Sequence, residues 1–79
     1  MNRNSLRDLL QTEHVRDDAY SLDGTLQDES MCLEAVTGGW AVFYSERGLR
    51  SGERVFETED EACQFLAGRL LADPSNRLG

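Results

Sequence analysis

Seventy-nine residues with seven Asp, eight Glu, eight Arg, no Lys and a net charge of −7 make one small domain that needs nearly every apolar residue for its own core. Little is left to line a deep substrate cavity, which takes roughly 300 Å³ or more. The acidic balance argues against nucleic acid, whose backbone requires a cationic face, and against an anionic membrane; it suits a basic protein partner or plain solubility.

In chain order, residues 1–4 are polar and expected to be loose. Ser5 with Asp8 three positions later matches a capping-box spacing, and Leu6, Leu9 and Leu10 recur at helical intervals, which predicts a short helix over about 6–14. Residues 19–22 read as a short extended piece closed by the Asp23-Gly24 turn signal. Residues 25–29 are read as loop, with Leu26 plugging into the core. From Met31 to Val36 the pattern alternates, with Met31, Leu33 and Ala35 on one face and Cys32, Glu34 and Val36 on the other.

The connection 37–39 carries two glycines suited to a tight hairpin. The strongest strand follows over 40–45, where Trp40, Val42 and Tyr44 alternate with Ala41 and Phe43. Residues 46–52 (ERGLRSG) read as a long polar hairpin tip, and 53–57 as the returning strand. Thr58 stands three before Glu61, a capping box in its standard form, with Glu59, Asp60 and Glu61 in the first turn where the macrodipole favours acid. The helix is expected to run to about Leu71, with Ala62, Cys63, Phe65, Leu66 and Leu70 inward, and to stop at Asp73-Pro74. Residues 75–79 read as a frayed tail. The predicted fold is one α+β domain of two layers, ordered over about 5–74. An antiparallel meander of three to four strands carries the N- and C-terminal helices on one face.

Chemistry is sparsely signalled. His14 is the sole histidine, and Cys32 and Cys63 form no CxxC pair, so neither a metal site nor a nucleophile with a positioned base is expected. No cofactor is expected, and the chain is read as a non-enzyme. The apolar run that a signal peptide or membrane span requires is missing, which predicts a cytoplasmic protein with reduced thiols. The acidic run 57–61 has a simpler task as a helix cap than as a catalytic pair.

Arg47, Arg50 and Arg54 leave two readings open. They pair with Glu46, Glu53 and Glu57 across the ladder, or they join Tyr44 and Glu46 in a recognition surface of the residue types that dominate interfaces. Acidic residues before the first long strand (Asp17, Asp18, Asp23, Asp28, Glu29) and around 57–61 are the charges available to a basic partner.

Three blocks occur in succession: YSLDG (20–24), WAVFYSERG (40–48) and F-x-T-E-x-E-A-C (56–63). In these the chain resembles a family of small acidic bacterial proteins that look like immunity proteins of polymorphic or contact-dependent toxin systems. The resemblance spans about residues 5–74. It implies a cytoplasmic, non-enzymatic inhibitor that binds a cognate toxin domain. From their own chemistry and charge, Arg47, Arg50, Arg54, Tyr44, Glu46, Asp23, Asp28 and Glu29 are the residues through which binding is expected. The alternative is a regulatory adaptor or a homodimer that packs sheet edge to edge.

Overall fold

A computed structural model describes residues 1–23 and 28–77. The chain runs α1 (Arg3–Thr12), a 3-10 turn (Asp17–Ala19), β1 (Tyr20–Ser21), β2 (Ser30–Val36), β3 (Gly39–Glu46), β4 (Leu49–Phe56), α2 (Glu59–Ala72) and a second 3-10 turn (Pro74–Asn76). This is an α+β fold with a four-stranded sheet in the order β1-β2-β3-β4. Among the described residues, no helix is long and apolar enough to cross a membrane.

Helix α1 starts earlier than its leucine spacing predicts because Asn2, not Ser5, is its cap. The Asn2 side chain accepts from the Ser5 N–H at 2.9 Å, and Ser5 Oγ accepts from the Asn2 N–H at 2.9 Å, so Ser5 closes the capping box from the third helical position. The other end is a Schellman motif. His14 takes a left-handed φ of 60°, its N–H bonds to the Gln11 carbonyl, and the Val15 N–H bonds back to Leu10. His14 thus ends a helix from an exposed position, while Val15 turns into the core.

The predicted meander holds for β2, β3 and β4, which pair antiparallel, but β1 runs parallel to β2, with Tyr20 beside Met31 and Ser21 beside Cys32. A parallel pair requires the chain to return to the same end of the sheet before the second strand begins. The expected core plug, Leu26, lies outside the described residues.

The long polar tip predicted over 46–52 does not exist. Glu46 pairs with Leu49, leaving Arg47 and Gly48 as a two-residue turn with φ of 53° and 77°, the positive pair that type I′ hairpins use. Strand β4 therefore begins at Leu49. It absorbs its surplus residue as a bulge: Val42 pairs with Arg54 and Tyr44 with Ser51, so Gly52 and Glu53 together oppose Phe43. Gly52, at φ 62°, supplies the left-handed residue such a bulge needs. Polar content made this stretch look like loop, whereas it is an edge strand exposed along nearly its whole length.

Both helices lie on one face of the sheet. Leu6 and Leu10 from α1, Leu33 and Val42 from the sheet, and Leu66 and Leu70 from α2 form one buried cluster. Ala67 joins the inward stripe of α2, while Phe65 is only half-buried and meets Phe56 at 5.2 Å between ring centres. On the opposite face Cys32, Ala41 and Phe43 form a second, smaller buried cluster beside Val36. After Pro74 the chain stays attached as far as Arg77: Val15 and Arg77 form a β-bridge, and the Arg16 N–H donates to the Asn76 carbonyl at 2.7 Å.

Candidate functional site

The sheet end opposite Trp40 gathers five of the eight residues expected to bind a partner: Asp28, Glu29, Tyr44, Glu46 and Arg47. Asp28 and Glu29 lead into β2, and Glu46 and Arg47 form the β3–β4 turn. The Arg47 N–H donates to Asp28 Oδ1 at 2.5 Å, which ties the two segments together. Glu29 and Arg47 both hold left-handed backbones, at φ 53° each. Non-glycine residues there cost about 1 kcal/mol or more, a strain that tends to collect at functional positions.

Tyr44 stands opposite Met31 on the helix-bearing face. Helix α2 ends at this level, so the sheet is no longer roofed and a cleft of about 430 Å³ opens. Met31, Tyr44, Leu70 and Pro74 line it together with Glu29, Arg69, Asp73 and Asn76. Burial, followed by the negative charges of Glu46, Glu29 and Asp28, pushes the Tyr44 hydroxyl above its ordinary pKa. Across the cleft, Asp73 accepts from the Ser75 N–H at 3.0 Å and from Ser75 Oγ at 2.8 Å. Those bonds hold its carboxyl below the ordinary range, so it is ionised at neutral pH. The α2 C-terminus adds the negative end of its macrodipole, while the Asn76 side chain donates to the Leu70 carbonyl at 3.1 Å.

The remaining candidates are dispersed. Arg50 lies on the helix-free face, bonded to Glu34 at 2.6 Å and to Glu53 at 3.2 Å. Arg54 lies on the helix-bearing face, 5.4 Å from the Phe65 ring centre. Asp23 sits near α1, where it accepts from Ser21 Oγ at 3.1 Å and borders a separate polar depression with Arg3 and Arg7. Arg47 and Arg50 border one depression with Glu46, Leu49 and Ser51, whereas Arg54 stands apart on the other face, so the three arginines do not share one surface. Of the pairings expected for them, Arg50 with Glu53 is present, and Arg50 also takes Glu34, two strands away on β2.

The acidic run 57–61 divides its work. Thr58 Oγ1 accepts from the Glu61 N–H at 3.2 Å and donates to the Glu61 carboxylate at 3.0 Å, while Glu59 pairs with Arg3 at 3.3 Å.

Met31, Arg69, Asp73 and Asn76 belong to the cleft and were not singled out by sequence reasoning. The one local signal near them, Asp73-Pro74, marks where α2 stops and hence where the sheet is uncovered. Both cysteines are buried free thiols, on opposite faces of the sheet, and burial raises the Cys63 pKa. Among the described residues no group of three or more His, Cys, Asp or Glu side chains is placed to hold a metal ion. The arrangement at Tyr44 is suited to recognition: fixed negative charge around an aromatic ring at the mouth of an open cleft. No family model, curated protein or solved structure matches the chain.

Proposed function

We propose that this chain is a non-enzymatic protein-binding domain of the immunity type, which neutralises a bacterial toxin domain in the cytoplasm by covering that domain's cationic surface. The observation that carries the reading is the placement of Asp28, Glu29 and Glu46 around Tyr44 at the mouth of the α2 cleft. A compact domain of net charge −7 steers toward a basic partner, and an aromatic residue set within the charge supplies a contact that holds after encounter. The sequence blocks that resemble immunity proteins point the same way.

The test is coexpression with the products of neighbouring genes. The expected result is a stable complex with one of them, and protection of cells that carry both. Neutralising the corner with Asp28→Asn, Glu29→Gln and Glu46→Gln together should slow association about tenfold at low salt, since rim charges act mainly on the on-rate. The reading fails if no neighbour-encoded protein binds and deletion leaves cells insensitive to their kin.

One observation favours a second reading, a homodimer paired along β4. That strand is the long free edge of the sheet, and Leu49 and Val55 on it are 73% and 59% exposed. The bulge at Gly52 and the charges of Arg50, Glu53 and Arg54 are devices that keep such an edge from pairing. Light scattering after size exclusion separates the readings: a monomer at micromolar concentration removes the dimer.

A further inference from the structure

The cleft beside Tyr44 combines an apolar floor with acidic walls. Met31 and Leu70 form that floor, Pro74 stands at one side, and the carboxylates of Glu29 and Asp73 line the same opening. At about 430 Å³ it lies toward the small end of ligand pockets, which span roughly 300–1,000 Å³, and it is open on one side. These dimensions suit a single long side chain delivered by another protein. The aliphatic stem of such a side chain would cover Met31 and Leu70, and its head would meet negative charge from two carboxylates and from the C-terminal end of α2.

Two cations stand near the cleft. The Arg69 guanidinium carbon is 5.6 Å from the centre of the Phe65 ring, and Arg16, whose charge acts on Asp73, lies 3.8 Å from Asp18, which leaves Glu29 as the carboxylate open to a guest. Glu29 is held in its left-handed backbone at φ 53°, one residue from Asp28, which the Arg47 N–H anchors. The backbone that carries this carboxylate is thus set in place beside Tyr44, while its exposed side chain is left to turn toward a guest. An aromatic ring beside a fixed carboxylate fits a planar guanidinium better than an ammonium, because the guanidinium both stacks and bonds in bidentate fashion.

We propose that this cleft seats an arginine side chain from the protein partner, with Met31 and Leu70 under its stem and Tyr44, Glu29 and Asp73 around its guanidinium. The proposal rests on the reading of this domain as the binder of a cationic protein surface, and it names the contact that anchors the complex.

The probe is the blocked tripeptide acetyl-Gly-Arg-Gly-amide, titrated into the isotopically labelled protein and followed by amide chemical shifts. Matching peptides carry lysine or the uncharged isostere citrulline. The expected result is saturable shifts at residues 29–31, Tyr44 and 69–76, weaker binding of the lysine peptide and none of the citrulline one. Glu29→Gln and Tyr44→Ala should each weaken the arginine peptide about tenfold, the loss expected of a charge-assisted contact. Glu29 is exposed, so its variant keeps the fold even if Tyr44→Ala does not.

Equal response to the citrulline peptide, equal affinity for lysine, or shifts scattered over the acidic surface with the cleft unmoved would each overturn the assignment. A partner that copurifies equally well with the wild type and both variants sinks the cleft and leaves the inhibitor reading standing. A positive peptide titration with no partner in the cell does the reverse.

Discussion

The Arg50 guanidinium sits 4.1 Å from the centre of the Phe43 ring, on the face of the sheet that carries no helix. Phe43 is fully buried there, and the arginine that helps cover it is held by Glu34 on β2 and Glu53 on β4. One side chain thus links β2 to β4 across β3. The same device recurs: Arg3 lies 5.1 Å from the Trp40 ring, and Arg54 and Arg69 flank Phe65. In a chain without lysine, arginines serve as covers for aromatic rings, a task that suits their weakly hydrated planar head.

Arg50→Ala should therefore lower the thermal midpoint by a few degrees, and Arg50→Lys should recover only part, because an ammonium keeps the charge and loses the fork. Phe43→Ala should cost about 3–5 kcal/mol as a buried ring replaced by a cavity. A double-mutant cycle with Phe43→Leu in urea measures the contact. An Arg50→Ala effect of the same size in both backgrounds would mean that the ring contact contributes nothing.

Arg47 occupies the first position of a type I′ turn, where Asn is favoured over long side chains. Arg47→Asn is expected to stabilise the fold by about 0.5–1 kcal/mol by relieving the left-handed backbone. Chemical denaturation checks the gain. If the same variant binds the partner more weakly while folding better, the arginine side chain is kept for contact.

Gly39 is confined by a neighbouring strand. A Cβ built on it would lie 2.2 Å from the Phe56 carbonyl oxygen, and backbone cannot swing aside as a flexible side chain can. Gly39→Ala should cost about 1–3 kcal/mol, toward the upper figure, as overpacking does. A midpoint unchanged from wild type would show that β4 is free to shift at Phe56.

Thr58→Ala removes the hydroxyl that accepts the Glu61 N–H, and should cost about 1 kcal/mol of stability. Thr58→Ser, which keeps the acceptor, should cost much less. Equal losses would locate the contribution of Thr58 in its methyl group.

Alkaline pH should unfold this protein before moderate acid does. Burial raises the pKa of Cys63 above its ordinary 9.0 and that of Tyr20 above its ordinary 10.0, so the native state holds protons that the unfolded chain releases first. The stability linked to each group is whole below its ordinary value and falls as pH rises through the folded one. The Met1 amino group, raised above its ordinary 8.0 by its bond to Asp60, and Tyr44, raised above its ordinary 10.0 by burial, add to the slope with the same sign. The urea midpoint should decline from about pH 8 upward, first through the Met1 amino group, and Cys63→Ala should flatten the part of the decline above about pH 9. A decline of the same shape in that variant would remove Cys63 from the account.

Much of the fold was written in short-range signals. The Thr58 N-cap, the alternation along β2 and β3, the glycine after Thr37 and the proline after Asp73 are each local signals, and each element they mark is present. The expected box at Thr58 closes only on one side, since Glu61 accepts from the Thr58 hydroxyl and not from its N–H. The Asn2 cap was missed because Ser5 and Asp8 offered a plausible box at the same spacing. The register of β4 was missed for a different reason. Its polar residues read as loop, and only pairing with β3 shows that Gly52 and Glu53 share one partner in Phe43.

By itself, then, the sequence determined the α+β class, the central strand, both helices and the acidic charge, because composition, period and caps are local properties. The tertiary structure alone decided the parallel course of β1, the separation of Arg50 from Arg54 on opposite faces, and the gathering of Asp28, Glu29, Glu46 and Tyr44 at the end of α2. Those relations join residues distant along the chain. What sets them is which groups the packed core leaves beside one another, and no short window of sequence contains that.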